Sequence, residues 1–186
     1  MNIHIQVRRI YLARDFDDLN TKGDGEELAN PDGNEIALKV WTAPNRSSVQ
    51  AGVPFEEDQN VLVRKRMMLK QRDVGVYNGF KPQEIKESNP EEYEKYTLNP
   101  YYHRFQMGES YYDLSTRLEA IILDLERETC DVLIIACSSV LRCLYAYYSP
   151  IPFSQSVVPS LSFSSSNIIE LTPGAYGIVE KKLPVF

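Results

Sequence analysis

The stretch SYYDLSTRLEAIILDLERETCDVLIIACSSVLRCLYAYY, residues 110–148, decides the fold class, and its first half predicts a helix over residues 110–128. Ser110 can cap that helix, and Asp113 stands where a capping box places an acidic residue. The apolar side chains that follow recur with helical spacing, which indicates a helix that packs one face against a sheet. They are Leu114, Leu118, Ile122 and Leu125.

The second half of the stretch predicts a strand followed by another helix. Residues 131–136, DVLIIA, form the short continuous apolar run that is typical of a strand buried on both faces. Either Ser138 or Ser139 can cap a helix that continues through Tyr147. A helix, a buried strand and a helix in succession favour an α/β fold.

The flanking sequence extends this organisation in both directions. Residues 6–13 alternate and then become apolar as a strand does, whereas residues 34–41, NEIALKVW, have weaker spacing that favours a helix. Residues 43–102 carry many prolines and acids and are interpreted as an irregular insert. Residues 167–171 and 177–181 flank a turn and predict a hairpin. Together they predict a mostly parallel sheet, with helices on both faces and an antiparallel edge at the C-terminal hairpin.

Bulk properties favour one domain over residues 1–186 and exclude several classes of protein. The net charge of −6 argues against general nucleic-acid binding, which needs a broad basic surface. No window approaches the roughly 20 apolar residues of a membrane helix, and the N-terminus lacks the apolar run of a signal peptide. We therefore expect a cytoplasmic protein without membrane or nucleic-acid partners.

Chemistry is expected at the carboxyl ends of the strands, in residues 14–20 and 137–142, because ligands of such sheets bind there. The bland reading of the first loop is a solvated acidic segment in which Arg14 pairs with a neighbouring carboxylate. Alternatively, Asp15 and Asp17 spell the D-x-D of a magnesium-dependent aspartyl phosphatase. No later strand end offers the acidic pair that would complete a magnesium site. We therefore predict no bound metal and no cofactor.

Histidine and cysteine chemistry has little support from the residues alone. The two histidines, His4 and His103, both lie away from predicted strand ends. The three cysteines occur in apolar surroundings without zinc-type spacing, which favours reduced thiols in a core. They are Cys130, Cys137 and Cys143.

Two longer motifs stand out, GESYYDLSTRLE at residues 108–119 and VLRCL at residues 140–144. They resemble GESYxDLxxRLE and VMRCL of the fructose-2,6-bisphosphatase half of the bifunctional 6-phosphofructo-2-kinase/fructose-2,6-bisphosphatases, a branch of the histidine phosphatase superfamily. LTPGAYG, residues 171–177, agrees with LTPxAYG, and VWTAP, residues 40–44, with VWTS. The resemblance spans nearly the whole chain and implies a three-layer, phosphoglycerate mutase-like fold.

The resemblance also implies that the catalytic positions are degenerate. The family's RHGE, whose histidine is the nucleophile, aligns with residues 14–17, RDFD, so that Asp15 stands in place of that histidine. A second histidine aligns with Cys137, and the general acid of the family's EIDAG aligns with Gln71 in QRDVG. An aspartate facing a phosphate costs about 4 kcal/mol of repulsion at roughly 4 Å. We therefore expect no bisphosphatase activity.

What the resemblance leaves is a partial anion site. Arg14 and Arg104 match phosphate-binding arginines of the family, and a third such arginine falls on Ser47 or, with a one-residue shift, on Arg46. The lysine before GES becomes Met107. Glu109 and Tyr111 belong to the retained substrate-pocket motif.

Three hypotheses follow for the function. The favoured one is an inactive, regulatory or structural domain linked to fructose 2,6-bisphosphate metabolism and glycolytic control. The alternatives are a sugar-phosphate sensor and a phosphatase that uses Asp15 or Cys137 as its nucleophile. The implied partners are fructose 2,6-bisphosphate or fructose 6-phosphate, and a kinase domain of the same parent protein or a homodimer partner. The 186 residues contain no GxxxxGK[ST] phosphate loop of their own.

Overall fold

A computed structural model describes residues 8–15, 38–149, 154–174 and 177–185, and these build a six-stranded mixed sheet. The strand order is β3-β2-β4-β1-β5-β6. Strands β1 to β4 run parallel, and β5 and β6 continue the sheet antiparallel from β1. The strands are β1 (Ile10–Arg14), β2 (Leu38–Thr42), β3 (Val61–Lys65), β4 (Val132–Ala136), β5 (Asn167–Gly174) and β6 (Gly177–Pro184). The expected mostly parallel sheet with an antiparallel C-terminal edge is confirmed.

Five α-helices accompany the sheet in the described ranges. They are α1 (Arg46–Gly52), α2 (Pro82–Ser88), α3 (Pro90–Leu98), α4 (Tyr111–Arg127) and α5 (Ser138–Tyr148). The predicted capping box starts α4: the Ser110 hydroxyl accepts from the Asp113 backbone N–H, and the Asp113 carboxylate accepts from the Ser110 backbone N–H. The predicted apolar side of α4 is buried.

The core lies on both faces of the sheet. Helices α4 and α5 cover one face, where Leu118, Ile134 and Leu141 are fully buried. On the other face, Ala51 of α1 packs against a smaller cluster that contains Val40 and Ile135. Because β4 lies in the middle of the sheet, its five residues are all buried, as the apolar run predicts. No helix in the described ranges is long and apolar enough to cross a membrane.

Three predictions of local structure were wrong. Cys137, rather than Ser138 or Ser139, is the N-cap residue of α5, and no side chain caps this helix. Residues 38–41, expected in a helix, belong to β2, whose Val40 and Trp41 are buried between β3 and β4. The apolar side chains of that segment fit the spacing of a helix and that of a strand. The segment forms a strand because it pairs with two parallel neighbours, β3 and β4. Residues 34–37 lie outside the described residues. The region expected to be an irregular insert contains β3 and α1 as well as the short helices α2 and α3.

Candidate functional site

A cleft of about 390 Å³ opens at the carboxyl ends of β1 and β4, where α5 begins. Side chains from several distant segments converge there because the parallel strands end at the same edge of the sheet. Its walls are formed by Arg14, Asp15, Asn45, Ser47, Gln71, Arg72, Val74, Tyr111, Cys137, Ser138, Ser139 and Arg142.

Asp15 is buried at the end of β1, and three donors hold its carboxylate. Its Oδ2 accepts hydrogen bonds from Asn45 Nδ2 at 2.6 Å, Ser47 Oγ at 3.0 Å and Ser48 Oγ at 2.8 Å. The three donors come from the residue before α1 and its first turn. Asp15 is thus fixed by neutral hydrogen-bond donors, and the described residues form no ion pair with it.

Two arginines of the cleft donate to backbone carbonyls of one segment near β5. Arg14 Nη1 donates to the Phe163 carbonyl at 3.2 Å, and Arg142 Nε donates to the Leu161 carbonyl at 2.6 Å. Each bond uses part of a guanidinium group that carries five N–H donors. Both arginines are therefore oriented by the backbone and still face the cleft.

Arg72 and Tyr111 form another part of the wall, next to Arg142. The Arg72 guanidinium lies over the Tyr111 ring, with its central carbon 4.6 Å from the ring centroid. The Tyr111 hydroxyl accepts a hydrogen bond from Arg142 Nη1 at 2.6 Å. Burial raises the pKa of Tyr111 despite the opposing effect of the positive Arg142 and Arg72. Tyr111 thus stays a neutral phenol that holds two cations in place.

The charge balance of the cleft is positive. Arg14, Arg72 and Arg142 line it, and Asp15 is the one carboxylate among the described lining residues. No carboxylate in the described ranges forms an ion pair with any of these three arginines. Such a cluster favours an anionic ligand, since the guanidinium fork matches the geometry of phosphate and carboxylate groups.

Groups able to act as nucleophile or proton donor are few. Cys137 stands just before α5 with its Sγ 3.2 Å from Ser139 Oγ, and Gln71 lies exposed at the rim. No histidine is found among the described lining residues: His103 lies elsewhere, with its Nε2 3.0 Å from Glu92 Oε1, and His4 is outside the described residues. The described part of the chain holds no cluster of three or more residues suited to a metal ion.

The predicted site residues divide into two groups. Arg14, Asp15, Gln71, Tyr111 and Cys137 come together in the cleft. Arg46, Arg104 and Glu109 are not among its lining residues. Asp17 of the D-x-D alternative lies outside the described residues.

The three predicted residues that do not line the cleft lie in other surroundings. Arg46 is exposed at the start of α1, and the neighbouring Ser47 takes the lining position. Arg104 pairs with Asp113 through two hydrogen bonds of 2.9 and 2.5 Å. Glu109 is held by Arg117 through two bonds of 3.0 Å, so that it supports the loop before α4.

Sequence reasoning missed Asn45 and Arg72 as cleft residues, and it included Arg142 only as the last residue of the expected loop 137–142 without giving it a role. Arg142 lies within the VLRCL motif, at a position that could have been singled out as a cation shortly after the strand end. Arg72 is adjacent to Gln71, but it belongs to the basic run of residues 64–72, which resembles an exposed face. Nothing local to Asn45 indicated that it would meet Asp15.

Comparison with known proteins extends these observations. The family model described as "Histidine phosphatase superfamily (branch 1)" matches residues 25–183. 6-Phosphofructo-2-kinase/fructose-2,6-bisphosphatase 3 of Rattus norvegicus is 35% identical over 198 aligned residues, which cover 95% of this chain and 34% of that protein. The human 6-phosphofructo-2-kinase/fructose-2,6-bisphosphatase 4 is 35% identical, with coverage of 95% and 40%. The chain therefore spans between about a third and two fifths of these relatives.

Solved structures share the fold at low identity. The mycobacterial glucosyl-3-phosphoglycerate phosphatase superimposes with a TM-score of 0.66 at 16% identity, covering 95% of this chain and 97% of that one. YhfR of Bacillus stearothermophilus superimposes with a TM-score of 0.68 at 15% identity, covering 92% and 94%. The arrangement of strands and helices is accordingly that of phosphoglycerate mutase-like phosphatases.

Proposed function

Because this chain belongs to the histidine phosphatase superfamily and is fructose-2,6-bisphosphatase-like, we propose that it is a domain of that type which has lost hydrolysis and serves regulation. The observation that carries the proposal is Asp15, which occupies the nucleophile's aligned position at the end of β1. Its Oδ2 is engaged by three hydrogen-bond donors. A carboxylate so engaged is a poor nucleophile, and its charge repels an incoming phosphate.

Two further positions support the same conclusion. Cys137 stands at the mouth of the cleft where the second histidine aligns, and its thiol cannot supply the positive charge of an imidazolium. Gln71 stands where the general acid aligns, and an amide cannot donate a proton as a carboxylic acid does. Without nucleophile, acid and second histidine, phosphohistidine chemistry has no remaining proton or phosphoryl carrier.

A second candidate, a sugar-phosphate sensor, is favoured by the three arginines of the cleft. Arg14, Arg72 and Arg142 have no carboxylate partner in the described residues, which suits reversible binding of an anion such as fructose 2,6-bisphosphate or fructose 6-phosphate. The names of the relatives couple a 6-phosphofructo-2-kinase with the bisphosphatase. We propose that a kinase domain or a second copy of this chain is the partner that responds to ligand binding at this site. We also propose that the protein is cytoplasmic.

The direct test is phosphate release from fructose 2,6-bisphosphate at high protein concentration. We expect no turnover above a buffer control. Turnover that persists through purification and disappears in Asp15→Asn or Cys137→Ala would refute the proposal and identify a replaced nucleophile. A covalent phosphoryl adduct, detected as a mass gain, would accompany such chemistry.

A thermal-shift titration with the same ligand tests the sensor. We expect fructose 2,6-bisphosphate to raise the melting temperature, because a ligand that binds the folded state stabilises it. Arg14→Ala is expected to remove the rise. Arg104→Ala is expected to keep it, since Arg104 pairs with Asp113 away from the cleft. A ligand effect that depends on Arg104 and not on Arg14 would contradict this assignment.

A further inference from the structure

Arg72 is the most buried of the three arginines that line the cleft. Only 9% of its surface is exposed, and no carboxylate of the described residues pairs with it. Withdrawing a cation from water costs several kcal/mol unless an anion or a full set of hydrogen bonds replaces the water. The surroundings of Arg72 supply only part of the hydrogen bonds that would replace this water.

The hydrogen bonds of Arg72 leave donors unused. Its backbone N–H donates to Ser139 Oγ at 3.3 Å, and its Nη1 donates to the Glu109 carbonyl at 3.1 Å. Within the described residues, Nε and Nη2 have no hydrogen-bond acceptor, and the side chain lines the cleft. An anion entering the cleft would therefore meet a guanidinium with donors available.

The position of this guanidinium is set before any ligand binds. The central carbon of the guanidinium lies 4.6 Å from the centroid of the Tyr111 ring, and the Tyr111 hydroxyl accepts a hydrogen bond from Arg142 Nη1 at 2.6 Å. Tyr111 is itself buried at the first position of α4. One rigid aromatic side chain therefore orients two cations, which reduces the entropy lost when they bind a shared anion.

We propose that Arg72 and Arg142, held by Tyr111, form a phosphoryl-binding subsite in which Arg72 is a ligand particular to this chain. In the family's EIDAG motif, an isoleucine stands where this chain has Arg72, so the phosphatase pattern provides no such group. The ligand class is a phosphoryl dianion, either free phosphate or the phosphate ester of a sugar. Two forked cations offer more charge and more donors than a monocarboxylate can use. The inference deepens the sensor role proposed above and rests on it.

Isothermal titration of the full chain with inorganic phosphate tests the assignment. Arg72→Ile is expected to weaken phosphate binding about 10- to 100-fold, the range for losing a charge-assisted hydrogen bond. Arg64→Ile makes the same chemical change at an exposed position of β3 and is expected to leave the affinity within about twofold. Unchanged affinity in Arg72→Ile, or no phosphate binding by the wild type up to millimolar concentration, would overturn the proposal.

Two more variants separate ligation from a structural role of Arg72. Arg72→Lys keeps the charge but loses the planar fork and the stacking, so its affinity should fall between those of the wild type and Arg72→Ile. Tyr111→Phe keeps the ring under Arg72 and removes the hydroxyl that holds Arg142, so it should weaken binding while the unliganded melting temperature changes little. Wild-type affinity in both variants would contradict the subsite even if Arg72→Ile fails to fold.

Parallel titrations identify the source of the phosphoryl group. Fructose 6-phosphate binding more tightly than inorganic phosphate would indicate a sugar-phosphate ligand, and equal affinities would indicate free phosphate. Succinate competing as well as phosphate would overturn the phosphoryl class. The titrations also keep the subsite apart from the sensor role on which it rests. No binding of phosphate or fructose 6-phosphate by the wild type would refute the sensor, whereas wild-type binding that is unchanged in Arg72→Ile would refute only the subsite.

Discussion

At the residue scale, Asp15 connects the end of β1 to the start of α1. Its carboxylate accepts hydrogen bonds from Asn45, Ser47 and Ser48. Ser48 is completely buried and Asp15 is nearly so, so this polar network is largely withdrawn from water although Asp15, Asn45 and Ser47 line the cleft. Buried polar groups destabilise a fold unless they are paired, so we expect the hydrogen bonds of Asp15 to contribute to stability.

Replacing Asp15 should reveal that role. Asp15→Ala leaves the three donors from Asn45, Ser47 and Ser48 without their shared acceptor, and we expect the free energy of unfolding to fall by about 2 kcal/mol. Urea denaturation followed by circular dichroism measures it. Glu94→Ala, at an exposed position of α3, is the control and should change stability by less than about 0.5 kcal/mol. Equal effects of the two variants would show that the Asp15 network contributes nothing.

Asp113 predicts a pH dependence of stability. Burial tends to raise its pKa, but hydrogen bonds from Arg104 and Ser110 outweigh burial and lower it from 3.8 to about 2. Because the folded carboxyl has the lower pKa, its contribution is complete above about pH 4 and is lost as the pH falls toward 2. Asp113→Asn should therefore lower stability at neutral pH and flatten the decline in that window. If Asp113 made no contribution, the urea midpoints of the wild type and of Asp113→Asn would follow parallel curves across this pH range.

At the scale of elements, two glycines allow the loop before α4 to approach the segment after Arg72. Glu109 N donates to the Asp73 carbonyl at 2.7 Å, and Val76 N donates to the Gln106 carbonyl at 3.1 Å. A Cβ added to Gly75 would lie 2.0 Å from the Gln106 carbonyl oxygen, and one added to Gly108 would lie 2.9 Å from the Asp73 carbonyl oxygen. This contact places Arg72 beside Tyr111.

Substitution of Gly75 should disrupt that contact. Gly75 has φ +62° as well as the close carbonyl, so Gly75→Ala is expected to cost about 3 kcal/mol or more of unfolding free energy. Gly79 has φ +89° with nothing within 4 Å of an added Cβ, so Gly79→Ala isolates the backbone strain and should cost about 1 kcal/mol. Chemical denaturation of both variants provides the comparison. Equal costs would mean that the carbonyl contact relaxes without penalty.

At the scale of the whole molecule, one sheet with a core on each face connects all the described elements. Trp41 of β2 is the single tryptophan of the chain, and it is buried beneath the Arg66 guanidinium, 4.6 Å from the ring. We proposed that the chain is one domain, and such a sheet should unfold cooperatively. Trp41 fluorescence and far-ultraviolet circular dichroism should report coincident urea transitions. Two separated midpoints would divide the chain into independent units.

The sequence by itself predicted those parts of the protein whose signals are local. The capping box and apolar side of α4, the apolar run of β4 and the presence of α5, though not its cap, are encoded in 39 consecutive residues, 110–148, and each depends on near neighbours. The hairpin of β5 and β6 follows from its turn in the same way. Longer motifs also indicated Asp15, Gln71 and Cys137 as residues of one site, and all three line the cleft. Asp15 and Cys137 meet there because the parallel strands β1 and β4 end at the same edge of the sheet.

Only the tertiary structure decided which cations face the cleft. Arg72 meets Tyr111, and Asp15 meets Asn45, across separations that no periodicity encodes. Arg104 could have been a cleft residue from its motif, but Asp113 lies close enough to pair with it instead. Residues 38–42 became a strand because β3 and β4 offered hydrogen bonds on both sides. Periodicity reports how a segment can be buried, whereas the choice of partner depends on which distant segments the fold brings within hydrogen-bonding distance.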